Sequence, residues 1–97
     1  MPKAYWIGHM HVHDAETYDT YRAANAAPLK AYGAKFIVRG GQQEIREGNW
    51  SPRTVVIEFA SLADAQACYD SDAYQSAKDI RVPVSDNNMI IVEGYDG

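Results

Sequence analysis

The stretch Trp50 to Phe59, WSPRTVVIEF, constrains the fold more than any other part of the chain. After a loop aromatic, a proline and Arg53 it runs Thr54-Val55-Val56-Ile57-Glu58-Phe59, and successive β-branched residues favour a pleated, mostly buried strand. It reads as a central strand. Glu58 is its one carboxylate, and an ion among apolar neighbours needs a partner or a task.

The rest of the chain supplies the neighbours. Residues 4–13, AYWIGHMHVH, split by parity into Ala4, Trp6, Gly8, Met10 and Val12 on one face and Tyr5, Ile7, His9, His11 and His13 on the other. That is a strand with one dry face and one mixed face. Asp14 is an N-cap, and Tyr18, Tyr21, Ala24 or Asn25, Leu29 and Tyr32 recur at helical spacing. Pro28 predicts a break near Ala26 or Ala27, because a proline inside a helix costs about 3 kcal/mol. Gly33 suits a left-handed cap. Lys35 to Arg39 is a second strand, with Phe36 and Val38 on its apolar side and Lys35, Ile37 and Arg39 on the other. Gly40-Gly41 ends it and opens a long polar connection to the central strand.

Ser61 with Asp64 starts a helix that buries Leu62, Ala65, Cys68 and Tyr69. Asp70-Ser71-Asp72 interrupts it, and Ala73 to Arg81 resumes with Tyr74, Ala77 and Ile80 inward. Ser85 to Asn88 reads as a turn, and Met89 to Val92 as the last strand. The order predicts an α+β, ferredoxin-like β-α-β-β-α-β domain over residues 1–97, with a four-stranded antiparallel sheet and strand three between strands one and two. Helices cover one sheet face. The other still carries Ile7, Ile37, Val56 and either Ile90 and Val92 or Met89 and Ile91, so it is expected to pack on a second copy as a homodimer with a lined barrel interior. A 97-residue chain has a modest core, which extra burial in a dimer would help.

Composition narrows the partners. The nine Lys and Arg are dispersed and the net charge is −4, which argues against nucleic acid. No run approaches the roughly 20 apolar residues of a membrane span, and the first residues lack a signal-peptide pattern, so a cytoplasmic protein without membrane contact is expected. The single cysteine, Cys68, leaves no internal disulfide and reads as a small buried helix residue.

Ala4-Tyr5-Trp6-Ile7, Arg39-Gly40-Gly41, Glu47-Gly48 before Trp50, the Arg53 to Phe59 strand, and Tyr69-Asp70-Ser71 leading to Tyr74 and Ala77-Lys78 together resemble the family called domain of unknown function 1330. The resemblance covers nearly the whole chain. It implies the dimeric α+β barrel superfamily, which includes small cofactor-free monooxygenases, isomerases, dehydratase-like proteins and many members without known activity. It carries no residue roles across. Ala60 departs from it, where similar sequences often have proline, and the His9, His11, His13 series is not part of its pattern.

The candidate chemistry therefore rests on the residues alone. His11, His13, Arg39 and Arg53 are expected at one end of the sheet near Trp50, with His9 between that end and Glu58. The two arginines would hold a carboxylate or enolate oxygen of a small aromatic substrate, unless they pair with Glu44 or Glu47. His9 or His11 beside them would act as general base, giving a catalytic set of His9, His11, Arg39 and Glu58. Arg53, Trp50, Tyr5, Tyr69 and Tyr74 are the candidate substrate contacts. Glu58 is either a second acid–base group or an ion paired with Lys35 or Lys3. No cofactor and no metal are assigned to the preferred reading. Its rivals are a non-catalytic dimerisation or ligand-sensing module, and a metal-binding variant through His9, His11 and His13.

Overall fold

Alternation along residues 4–12 becomes strand β1 (Ala4–Val12), whose even-numbered residues from Ala4 to Met10 are buried while their neighbours are not. In the computed structural model, which describes residues 2–97, Asp14 ends the strand. It takes an extended backbone and accepts the Thr17 N–H at 3.1 Å and the Thr17 hydroxyl at 2.8 Å. These bonds start α1 (Ala15–Ala31) and hold the Asp14 carboxyl below its ordinary range. β2 (Lys35–Arg39), β3 (Arg53–Phe59), α2 (Leu62–Asp70), α3 (Asp72–Arg81), a short 3-10 turn (Val82–Val84) and β4 (Ser85–Glu93) follow.

The strands form one antiparallel sheet in the order β2-β3-β1-β4, so the expected β-α-β-β-α-β arrangement is present with its second helix split in two. Ser71 makes the split. It closes α2 by donating to the Cys68 carbonyl at 2.7 Å and opens α3 by accepting the Tyr74 N–H at 3.2 Å. Among the described residues no helix is long and apolar enough to cross a membrane.

Three expectations are corrected. Helix α1 runs through Pro28 without the break placed near Ala26 or Ala27. The proline lies in the final turn, where it withholds one backbone donor, and its burial beside Leu29 offsets that loss. Gly33 then caps the helix at φ 69°, with Ala34 N–H on the Leu29 carbonyl at 2.9 Å and Gly33 N–H on the Lys30 carbonyl at 3.1 Å. Strand β4 begins at Ser85 rather than Met89. Asp86, Asn87 and Asn88 pair with His11, Met10 and His9, and this pairing overrides their poor strand propensity. Finally, β2 carries a bulge at Ile37: Phe36 pairs with Ile57, but Val38 pairs with Val56.

Trp6 organises the helix-side core. Its ring meets Phe59 at 5.0 Å, Tyr74 at 4.8 Å and Tyr69 at 5.8 Å between centroids, and its indole N–H donates to the Ala65 carbonyl at 3.0 Å. The sheet is thereby tied to both later helices, each aromatic pair contributing about 0.5–1.5 kcal/mol beyond area burial. Phe59, Tyr74, Cys68 and Ala77 complete this centre. The opposite face is thinly covered: Ile90 is 57% exposed, Ile37 47%, Val38 39% and Val92 38%. The register assigns Ile90 and Val92, not Met89 and Ile91, to that outer face.

Cys68 is fully buried, its thiol facing the Pro28 carbonyl at 3.7 Å, and burial pushes its pKa up from 9.0 to about 11. Between those values the unfolded chain ionises first while the folded chain keeps the proton, so stability falls as pH rises from about 9 to about 11. A Cys68→Ala variant should lose about 2–3 kcal/mol less over that interval, as read by urea denaturation at pH 8.5 and pH 11.

Candidate functional site

Pairing of β1 with β3 decides which polar groups meet. Trp6 faces Ile57, Gly8 faces Val55 and Met10 faces Arg53, which puts Arg53 on the helix side of the sheet. Arg39 pairs with Val55 on the neighbouring strand and joins it there, because the Ile37 bulge reverses the parity that placed Arg39 outward. His9 pairs with Thr54 and His11 with Asp86, both on the outer side. The expected end of the sheet is right. The two arginines and the histidines nevertheless lie on opposite faces, so neither His9 nor His11 stands beside Arg39 and Arg53 as a base.

On the helix side a cavity of about 50 Å³ opens between the sheet and helices α1 and α3. Gly8 and Val55 keep its floor low, Tyr18, Tyr21 and Asn25 of α1 roof it, and Tyr74 and Arg81 of α3 close one wall. Four arginines, Arg22, Arg39, Arg53 and Arg81, line it and no carboxylate does. Arg22 pairs with Asp19 at 3.2 Å, and Glu44, an anticipated partner for Arg39 or Arg53, instead pairs with Arg46 at 3.0 Å. Among the described residues, Arg39, Arg53 and Arg81 have no carboxylate within 4.0 Å.

Each of the three is held differently. Arg39 is exposed and stacks its guanidinium 4.0 Å above the Phe36 ring. Arg81 is 7% exposed and lies 5.6 Å from the Tyr21 ring centroid. Arg53 packs its guanidinium against Gly40, and its Nε is buried without a hydrogen-bond partner. Asn25, 5% exposed, likewise leaves Oδ1 unpartnered. Unmade hydrogen bonds on buried groups cost about 1–3 kcal/mol each, and both residues line the cavity.

Phenolic hydroxyls stand among them. Tyr21 and Tyr74 hydroxyls are 2.9 Å apart. Burial pushes the Tyr74 phenol far above its ordinary range, Tyr21 adding to this and Arg81 opposing it. Burial also raises Tyr18, with Tyr21 adding and Arg53 and Arg81 opposing. The chamber thus offers positive charge, phenolic donors and apolar walls, and no histidine or carboxylate base.

The other expected residues serve elsewhere. Glu58 lies on the outer face and pairs with Lys3 at 3.3 Å, one of the two structural partners anticipated for it. Tyr5 sits beside it in register, away from the cavity. Tyr69 packs on Trp6 and Tyr74 behind the chamber, and only Tyr74 of the tyrosines first assigned to substrate lines it. Trp50 is on the outer side, stacked 4.0 Å from His9 and donating to Thr54 Oγ1 at 2.8 Å. His9 Nδ1 also meets the Ser51 hydroxyl at 2.8 Å, which fastens the β2–β3 connection to the sheet.

Sequence reasoning had left Tyr18, Tyr21, Asn25 and Arg81 as core or helix-end residues. The available signals were an asparagine in the buried stripe of α1 and an arginine seven positions after Tyr74, on the same helix face.

The model of the family described as Domain of unknown function (DUF1330) matches residues 3–95. No curated protein matches the chain significantly. A protein of unknown function from Rhodopseudomonas palustris has a similar structure, with TM-score 0.77 at 15% identity over 99% of this chain and 85% of that one. SnoaB, a cofactor-independent oxygenase from Streptomyces nogalater, aligns with TM-score 0.65 at 10% identity, covering 100% of this chain and 97% of that one. A dimeric ferredoxin-like protein of unknown function from Thermobifida fusca aligns with TM-score 0.63 at 16% identity, covering 95% and 91%. At these identities the likeness is one of fold.

Gly40 has φ 69°, and a Cβ there would collide with the Arg53 guanidinium. Gly40→Ala should therefore cost about 1–2 kcal/mol through backbone strain and displace Arg53, whereas Gly41→Ala, with open space around it, should be near neutral. Thermal denaturation of the two variants side by side checks this.

Proposed function

The chain belongs to the DUF1330 family, and from that premise we propose that it is a small-molecule-binding protein whose ligand is an anion with a flat apolar body. The observation that carries this reading is a chamber lined by four arginines and, among the described residues, no carboxylate. A guanidinium offers two parallel donors to a carboxylate or phenolate, and low local dielectric strengthens such bonds. Asn25 Oδ1 would accept from a hydroxyl or amine of the same ligand. The volume of about 50 Å³ suits the charged head, and Arg39, exposed at the margin, would meet the remainder. In this reading the site lies within one subunit, between the sheet and helices α1 and α3.

A set of hydroxylated aromatic carboxylates, screened by calorimetry, tests the proposal. Arg53→Gln should weaken the best ligand at least about 10-fold, in line with the roughly 1.5–3 kcal/mol of a charge-assisted hydrogen bond. Arg39→Ala should weaken it less. Saturable binding that survives Arg53→Gln unchanged would place the ligand elsewhere.

A second reading, turnover of that ligand without a cofactor, is favoured by the fold shared with SnoaB and by guanidinium groups placed to stabilise an enolate. Oxygen uptake in the presence of a bound ligand separates it from a non-catalytic ligand-sensing module, which would consume none.

The outer face, with Ile7, Val56, Ile90 and Val92 side by side, is proposed to be covered by a second copy of the chain. A dimeric relative of the same fold supports this. Val56→Lys should shift the protein to a monomer in analytical ultracentrifugation, because an unpaired charge in a sheet-to-sheet contact costs several kcal/mol; a wild-type monomer would refute the assembly.

A further inference from the structure

The far end of the outer face carries a second constellation. His11 of β1 lies directly opposite Asp86 of β4, and His13, two residues on and so of the same parity, reaches back to the same carboxylate. Its Nε2 is 2.8 Å from Asp86 Oδ2. The His13 backbone is fixed by its own N–H on the Val84 carbonyl at 2.8 Å, and the two imidazoles stand edge to face with centroids 4.7 Å apart. One donor atom from each of His11, His13 and Asp86 lies within 4.8 Å of the other two, and all three residues are exposed.

We propose that His11, His13 and Asp86 form a binding site for a divalent transition-metal ion of the zinc, nickel or copper type. Imidazoles are borderline donors that suit these ions, a carboxylate oxygen completes many zinc sites, and bonds of about 2.0–2.2 Å require ligand atoms roughly 3.0–3.5 Å apart. The His13–Asp86 pair is already at that scale, and His11 closes the remainder by rotation of an exposed side chain. Three protein ligands leave coordination positions for water or an anion. His9 is not a member, because its Nδ1 faces Ser51 and its ring is stacked on Trp50. The site is on the opposite face of the sheet from the arginine-lined cavity and does not depend on it.

Calorimetry of the untagged, chelator-treated protein with zinc chloride alone tests the site. One ion per chain is expected, with affinity reduced at least about 10-fold by His13→Ala and by the near-isosteric Asp86→Asn, and unchanged by His9→Ala. Nickel in substoichiometric amounts should broaden the NMR signals of His11, His13 and Asp86 before those of His9 and Trp50. Absence of saturable binding, one ion per two chains, or affinity that falls with His9→Ala but not with His13→Ala would each overturn the proposal. Circular dichroism of each variant separates a lost ligand from a lost fold.

Discussion

Antiparallel pairing of β1 with β3 is the constraint on which the rest of the structure depends. With Trp6 opposite Ile57, every second residue of both strands is committed to the helices, and the period of two continues to the strand ends. Met10 and Arg53 are therefore opposed at the edge of the core, and a guanidinium enters a layer otherwise built from aromatic and aliphatic side chains. The helices adapt to that charge. Tyr18, Tyr21, Asn25 and Tyr74 line the same chamber, where a wholly apolar stripe would have closed the gap.

That arrangement comes at the expense of close packing. A chain of this length has few large residues for a core, and it leaves a chamber next to the Trp6 cluster. Asn25 and Arg53, which line it, each keep a buried polar atom without a partner, an exception to the ordinary satisfaction of buried groups. The two sheet faces divide the chemistry between them, with the cavity arginines on one and the histidines, Glu58, Asp86 and exposed aliphatics on the other.

Much of this was legible in the residues. Element order, the central place of β3, the Gly33 cap and the break at Ser71 follow from local patterns of parity, capping and glycine. What escaped depends on contacts distant in sequence. Asn87 and Asn88 are poor strand formers held in a strand by β1, and Pro28 is tolerated because its ring is buried at the end of α1. The pairing of arginines with histidines failed for two reasons: alternation cannot reveal the bulge that turns Arg39 inward, whereas Arg53 already has the parity opposite to Val56, and so to the histidines, by simple alternation along β3.

The bulge at Ile37 has a further consequence for comparing relatives. A strand with one unpaired residue has two phases, and whether that residue bulges or pairs determines which side chain is presented to the chamber. A homologue of the same length in which residue 37 paired within the ladder would turn the arginine two positions on to the far side and bring residue 38 inward, with no change of amino-acid type at either position. Column-by-column alignment would then equate side chains that occupy opposite faces. The side chains that face the helices can thus differ within a family through gain or loss of the bulge in β2, and residue identity there is informative only once strand phase is known.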